Sequence, residues 1–122
     1  MAGLRMPGLG REYVAVTGNT TLTNFDVGKT FSNLGAAGSV TITLPDPTTC
    51  QPGDDIRILA CADQTLAFTS TSKLITFNNA AASTCTLSTS GEKIGGGFTV
   101  TCTGAKWHVL MHLEETQTVT VS

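Results

Sequence analysis

The feature that most constrains this chain is the alternation of apolar residues with threonine over short segments. In residues 40–44 every second residue is aliphatic and the two residues between them are threonines, and Pro45 ends the segment. A period of two places successive side chains on opposite faces of a strand, and a proline cannot donate to a strand ladder. The pattern predicts a strand with one face in a core and one polar face.

A second alternating stretch, near the C-terminus, predicts a hairpin. Residues 98–103 alternate without a break, Gly104-Ala105 is typical of a tight reversal, and residues 106–113 place Trp107 and every second residue after it on one face. Trp107 is therefore predicted to lie in the core. A Gly-rich and Ala-rich reversal at residues 32–39 predicts another hairpin, which contains the strand at residues 40–44.

Other short segments with strand character recur along the chain, separated by Gly, Pro, Asn and Ser turns. They are residues 13–16, 20–23, 55–61, 66–69, 74–77, 84–87 and 117–122. The segments between residues 66 and 87 are short and rich in hydroxyls, which is typical of edge strands. About eight to ten strands without a convincing helix predict an all-β fold, a single-domain β-sandwich, jelly-roll or barrel-like body.

Composition narrows the classes of function. Thr occurs 22 times and only 13% of residues are charged, so the polar surface consists mostly of hydroxyls. The net charge is -2, whereas nucleic-acid phosphates require clustered Lys and Arg. No apolar run reaches the roughly 18 residues that span a bilayer, and no apolar signal segment precedes the strands. We expect no nucleic-acid or membrane partner, and synthesis in the cytoplasm.

The first twelve residues differ from the rest by their Gly and Pro content, with Arg5 and Arg11 as their only cations. Such a segment cannot bury enough surface to order itself. The sequence therefore predicts a flexible N-terminal arm at residues 1–12 and a β-rich domain at residues 13–122. The arm is either dispensable or becomes ordered on a partner.

The cysteines leave the question of disulfides open. Four are present, none in a CxxC or zinc-finger spacing, and they allow three pairings if all are bridged. They are Cys50, Cys61, Cys85 and Cys102. Cys102 is in phase with the apolar residues of the strand at 98–103, which predicts a small buried hydrophobe. A bridge remains an alternative if the protein functions outside a cell.

Residues with catalytic or metal-binding chemistry have simpler structural interpretations. His108 and His112 would share one face of a helix and could bind a metal, but on a strand about 13 Å separates them. The carboxylate pairs at residues 54–55 and 114–115 do not converge on a strand, and no GxSxG motif is present. The glycines at 95–97 lead into a strand instead of a phosphate-binding helix. We predict no enzymatic activity, no metal and no cofactor.

Residues 28–45 resemble a pattern in small structural proteins of tailed bacteriophages. That pattern has a strand ending in Thr-Phe and Asn, a Gly-Ala-x-Gly reversal, and a Val-Thr-x-x-Leu-Pro strand. The matching residues here are Thr30, Phe31, Asn33, Gly35, Ala36, Gly38, Val40, Thr41, Leu44 and Pro45. The segment at residues 106–110 is similar to the final hairpin of those proteins, so the resemblance covers residues 13–113.

This resemblance implies a capsid decoration (cement) protein. Such proteins are commonly trimers that bind the major capsid protein on the outer surface of the icosahedral head and stabilise it by bridging capsomers. The expected location is thus the virion, after synthesis in the host cytoplasm. The expected capsid interface comprises Leu4, Arg5, Met6, Leu9, Arg11 and Tyr13.

Two alternatives remain. A tail-fibre or baseplate module belongs to the same group of phage proteins and would contact the host surface. A carbohydrate-binding module would instead require Trp107 to be exposed, so that it could stack on a sugar.

Overall fold

The computed structural model describes residues 11–87, 94–113 and 117–122. In these ranges the chain forms ten strands and two short 3-10 turns, the latter at Asn24–Asp26 and Pro47–Thr49. The strands are β1 (Tyr13–Ala15), β2 (Thr20–Thr21), β3 (Thr30–Ser32), β4 (Val40–Thr43), β5 (Asp55–Leu59), β6 (Leu66–Thr76), β7 (Asn79–Leu87), β8 (Gly97–Cys102), β9 (Trp107–His112) and β10 (Val119–Val121). The prediction of an all-β single domain is confirmed.

The pairing of the strands divides the sheet into two halves. The strand order is β1-β3-β5-β8-β9-β6-β4-β2, and β7 pairs with both β6 and β10. Strands β1, β3 and β5 run parallel to one another, as do β2, β4 and β6. Between two parallel neighbours the chain always passes through a strand of the other group: β2 lies between β1 and β3 in sequence, and β4 lies between β3 and β5. This alternation is typical of the coils of a solenoid. We call β1, β3, β5, β8 and β9 the first half, and β2, β4, β6, β7 and β10 the second half.

The two halves share one hydrophobic core. The ring centroids of Phe68 in β6 and Phe98 in β8 are 4.8 Å apart, with the ring planes at 67°. Strand β9 lies between these strands in the pairing order, so a flat sheet would separate them by about 10 Å. The sheet therefore bends until its inner faces meet. The largest fully buried side chains include Trp107, Phe68, Phe98, Ile42, Ile56, Ile58, Leu66, Leu74 and Leu87.

The predicted hairpin around residues 32–39 is wrong. Strand β3 pairs with β1 and β5, and β4 pairs with β2 and β6. Asn33 follows β3 and is fully buried, and its Oδ1 accepts hydrogen bonds from the amides of Cys61 and Ala62 at 2.7 and 3.0 Å. The Asn33 side chain therefore links the segment that follows β3 to the segment that follows β5, the equivalent positions of two successive coils. The chain therefore passes into the second half instead of returning beside β3.

The prediction of edge strands between residues 66 and 87 is also wrong. Residues 66–76 form the single long strand β6, which pairs with β4, β7 and β9, and Leu66, Phe68 and Leu74 are fully buried. The register shifts between Thr69 and Leu74, and Ser72 has a φ of 57°. This irregularity bends β6, so its first part pairs with β4 and its last part with β9.

The predicted C-terminal hairpin and the core position of Trp107 are confirmed. Strands β8 and β9 are antiparallel, with Cys102 opposite Trp107 and Gly97 opposite His112. Trp107 is fully buried, and its indole Nε1 donates a hydrogen bond to the carbonyl of Pro45 at 3.0 Å. The hydrogen bond satisfies the polar atom of a side chain that otherwise contributes apolar contact area.

Candidate interaction face

On the side of the first half that faces away from the core, the registers form two rows of residues across five strands. Within these rows Thr30, Ser32 and Gly97 are buried. The strand registers align Tyr13, Thr30, Arg57, Thr99 and Leu110 in one row, and Ala15, Ser32, Leu59, Gly97 and His112 in the next. The row between them is apolar and packs in the core, and it contains Val14, Phe31, Ile58, Phe98 and Met111. We call the two outward rows the leucine face, after Leu59 and Leu110.

Apolar side chains on the leucine face are open to solvent. Leu110 is 53% exposed, Tyr13 48% and Leu59 36%. Leu59 and Leu110 stand at positions where strand alternation calls for a polar residue, because their neighbours in sequence point into the core. Gly97 lies opposite Leu59, and a side chain at Gly97 would come within 3.1 Å of the Leu59 side chain. The glycine therefore leaves room for Leu59 to lie across the face.

Two open depressions border Leu110. One, of about 660 Å³, lies between β9 and the turn that joins β6 to β7, and its lining includes Phe77, Asn78 and His108. The other, of about 380 Å³, is lined by residues of β5, β8 and β9 that include Arg57, Leu59 and His112. Leu110 lines both depressions and so forms the ridge between them.

The turn beside the larger depression carries an aromatic residue in an unfavourable backbone conformation. Phe77 and Asn78 have φ values of 46° and 61°, and they connect the paired residues Thr76 and Asn79. Positive φ at both central residues defines a type I′ turn, which favours Asn and Gly. A bulky residue there costs free energy, and Phe77 is 67% exposed. Because the Phe77 ring is mostly exposed, it contributes little to the free energy of folding. A contact with another molecule is therefore the simpler explanation for an aromatic residue at this position.

The histidines of β9 lie on a strand, as predicted. His108, Leu110 and His112 are all exposed and alternate with the inward-facing Trp107 and Val109. The spacing of a strand keeps the two imidazoles about 13 Å apart. His112 Nε2 lies 3.3 Å from Thr99 Oγ1. Within the part of the chain that the structure describes, no three His, Cys, Asp or Glu side chains come together as metal ligands.

Two of the six residues predicted for the capsid interface, Arg11 and Tyr13, belong to the described part of the chain. Leu4, Arg5, Met6 and Leu9 lie outside the described residues. The Arg11 guanidinium lies 2.9 Å from the Asp55 carboxylate, and it also donates to Thr30 Oγ1 at 3.2 Å. Tyr13 begins the first row of the leucine face, and its hydroxyl is hydrogen-bonded to Ser32 Oγ. Arg11 is therefore attached to the domain, whereas the Tyr13 ring offers exposed surface.

Paired charges lie at the end of the first half that carries Arg11. Lys29 Nζ is 2.9 Å from Asp26 Oδ1 and 3.9 Å from Glu12 Oε2. Burial acts to raise the pKa of Asp26, but hydrogen bonds from the Thr23 amide and from Lys29 outweigh it, so the pKa lies below its ordinary value. With Arg11 and Asp55, these residues form a charged rim next to Tyr13.

The outward side of the second half has a different composition. Its registers align Thr21, Thr43, Thr69 and Thr84 in one row, and Thr41, Ala67, Thr86 and Thr120 in the next. We call these eight residues the threonine face. Two of the threonine hydroxyls bond locally: Thr84 Oγ1 donates to Thr69 Oγ1 at 3.2 Å, and Thr69 Oγ1 donates to the carbonyl of Ser83 at 2.8 Å.

Leu59, Leu110 and Phe77 were not among the residues predicted to lie at an interface. A signal was present for the two leucines, because each is an apolar residue in the outward phase of an alternating strand. Phe77 gave no such signal, since its exposure depends on the turn between β6 and β7.

Comparisons with protein-family models and with curated proteins found no match to this chain. The resemblance to phage structural proteins therefore stays a prediction. In the described residues no helix has the length and apolar character needed to cross a membrane.

Proposed function

We propose that this protein is a capsid decoration protein of a tailed bacteriophage. It binds the major capsid protein on the outer surface of the head through the leucine face and stabilises the head by bridging capsomers. The observation that carries the proposal is the placement of Leu59 and Leu110 in the outward phase of their strands, exposed beside two open depressions. The sequence resemblance described above supplies the identity of the partner.

The leucine face offers contact area for a protein surface. Exposed apolar side chains that lie together, with polar residues around them, are typical of protein interaction sites. Here Leu59 and Leu110 are flanked by His112, Arg57 and Thr99, which can supply hydrogen bonds at the edge of a contact. A decoration protein performs no chemistry, so a rigid sheet with such a face is sufficient for the role, without a cofactor.

The size of the leucine face favours an oligomer. Five strands at a spacing of about 4.8 Å give a width of roughly 20 Å, and the two rows span three residues, a length of roughly 10 Å. This area of roughly 200 Å² is less than the approximately 800 Å² that a typical stable interface provides per partner. Attachment of several linked faces multiplies the strength of binding. A homotrimer on the capsid surface would supply that avidity, and contacts of residues 1–10 with the capsid would add further area.

A tail-fibre or baseplate module is the second candidate, because such a module also needs a rigid sheet and an exposed contact face. The carbohydrate-binding alternative depended on an exposed Trp107, and that side chain is fully buried. Trp107 therefore cannot stack on a sugar in this fold. The capsid and host-surface candidates differ in the partner, and binding to heads separates them.

The test is binding of the full chain to heads assembled from the major capsid protein alone, measured by co-sedimentation. Leu110→Glu places a charge in the centre of the proposed contact, where burial without a partner is costly. We expect binding to weaken by about tenfold or more, which corresponds to about 1.4 kcal/mol. Thr120→Glu adds the same charge to an exposed position of the threonine face and should leave binding unchanged.

Both variants should keep the unfolding midpoint of the original chain, since both positions are exposed. Wild-type binding by the Leu110→Glu variant would exclude the leucine face as the contact. A chain that does not bind heads at all, with or without substitution, would exclude the capsid role and favour the tail module.

A further inference from the structure

Two of the four cysteines meet at one backbone carbonyl. The carbonyl oxygen of Pro47 accepts a hydrogen bond from the Cys50 amide at 3.2 Å, and the Cys102 thiol donates to the same oxygen at 3.3 Å. The Cys50 thiol lies 3.8 Å from the preceding carbonyl, that of Asp46. The two thiols thus lie against consecutive carbonyl groups, although the two cysteines are 52 positions apart along the chain.

Rigid backbone holds the two cysteines in this arrangement. The turn after Cys50 has the geometry that Pro52 and Gly53 favour: the Asp54 amide donates to the Gln51 carbonyl at 3.0 Å, and Gly53 has a φ of 94°. This turn then pairs with Cys102 itself. The Gly53 amide donates to the Cys102 carbonyl at 2.8 Å, and the Cys102 amide donates to the Asp54 carbonyl at 2.7 Å.

The other two cysteines lie elsewhere. Cys61 follows β5, whereas the turn at residues 51–54 precedes it, so the length of that strand, about 16 Å, lies between them. Cys85 is fully buried in β7, opposite Phe68. Burial raises the pKa of the Cys85 thiol to about 11, which leaves almost no reactive thiolate near neutral pH.

We propose that Cys50 and Cys102 are a latent disulfide site, which closes when the protein leaves a reducing environment. All four thiols are free in this structure. Disulfides require close approach of the two backbones. The shared Pro47 carbonyl and the hydrogen bonds between Cys102 and the turn at residues 51–54 hold the backbones of Cys50 and Cys102 beside each other. The bond would fasten the segment at residues 46–54 to the end of β8. This inference does not depend on the identity of the partner of the leucine face.

The reaction proceeds by exchange with a small disulfide such as oxidised glutathione. Cys50 is the more accessible thiol, 7% exposed against 2% for Cys102. Its thiolate attacks one sulfur of the reagent, forms a mixed disulfide and releases the first small thiolate. The Cys102 thiolate then attacks the Cys50 sulfur and releases the second. The protein loses two protons and two electrons, and the reagent becomes two thiols.

The pH dependence follows from burial. Burial raises the pKa of the Cys50 thiol and outweighs the hydrogen bond from Thr49, which acts to lower it. The thiolate is the attacking species. Closure of the bond should therefore be slow at neutral pH and become faster as the pH rises.

The sequence permits an unambiguous test. Cleavage after Lys and Arg places each cysteine on its own peptide: residues 30–57, 58–73, 74–93 and 94–106. The native full chain is incubated with oxidised glutathione, its remaining thiols are alkylated, and the peptides are identified by mass spectrometry. We expect peptide 30–57 linked to peptide 94–106 in a monomer that has lost two hydrogen atoms. The unfolding midpoint should rise by roughly 5–15 °C, because the bond closes a long loop.

Matched variants keep the result interpretable. Cys61→Ser removes a half-buried thiol outside the pair and should leave both the linked peptides and the rise in midpoint intact. Cys50→Ser should abolish both. A link that involves peptide 58–73, a link that forms only in denaturant, or an oxidised chain without any link would overturn the proposal.

Discussion

The leucine face and the threonine face are the two outer sides of one bent sheet, and they differ in how they follow strand alternation. On the threonine face seven of the eight outward positions are threonine, and the row between them contains the buried Ile42, Phe68 and Cys85. On the leucine face the row between is equally apolar, but Leu59 and Leu110 also stand on the outward side. The threonine face follows the alternation of apolar and polar residues, and the leucine face departs from it.

This difference indicates which face has a role beyond folding. Hydroxyls that bond to one another and to the backbone leave a surface that is compatible with water. Exposed leucines and an aromatic residue at a strained turn favour neither solubility nor the local fold. Departures of this kind occur at functional sites. This difference is why the proposed contact with the capsid is placed on the leucine face.

Phe68→Ala tests whether the two faces belong to one cooperatively folding body. Phe68 contacts Phe98 across the core shared by the two halves. We expect a loss of about 3–5 kcal/mol in the free energy of unfolding, through lost burial and a cavity. The measurement is denaturant unfolding followed both by Trp107 fluorescence and by circular dichroism. Two separate transitions, with only one of them shifted, would show that the halves fold independently.

Asn33→Ala tests whether the Asn33 hydrogen bonds stabilise the passage of the chain between the two halves. The substitution leaves the amides of Cys61 and Ala62 without their acceptor. We expect a loss of roughly 2–4 kcal/mol, since each unsatisfied buried donor costs about 1–3 kcal/mol. Asn19→Ala is the matched control: Asn19 Oδ1 accepts from the Thr41 amide at an exposed position, so the loss should be under about 1 kcal/mol. Equal losses of stability in the two variants would mean that the hydrogen bonds of the buried Asn33 contribute no more than the exposed one of Asn19.

Phe77→Asn separates the effect of residue 77 on stability from its effect on binding to heads. Asn suits a positive φ better than Phe does, so we expect the free energy of unfolding to rise by about 1 kcal/mol. Binding to heads should weaken, because the ring that borders the larger depression is lost. Asn78→Gly improves the same turn and keeps the ring. It should stabilise the protein without weakening binding, and equal binding by both variants would remove Phe77 from the contact.

Part of this fold could be predicted because it depends on local pattern. The alternation in β8 and β9 predicts both the hairpin and the burial of Trp107, and Pro52 and Gly53 favour the turn after Cys50. The partner of β3 could not be predicted this way. A strand that returns as a hairpin and one that enters a solenoid coil have the same period, and the choice depends on Asn33 bonding to residues almost thirty positions away.

The candidate site was predicted less completely. Tyr13 was chosen from the resemblance and lies on the leucine face, while Arg11 is bonded to Asp55 and Thr30. Leu59 and Leu110 could have been found by asking which apolar residues are out of phase with the core. The depressions beside them could not, because they form where β5, β8, β9 and the Phe77 turn meet in space.

The most direct test of the central claim is the copy number of this protein in purified virions that contain it, measured by quantitative mass spectrometry against the major capsid protein. A decoration protein that covers the head predicts a copy number comparable with that of the major capsid protein. A copy number far below it, at the level of a tail component, or absence from the heads, would contradict the account.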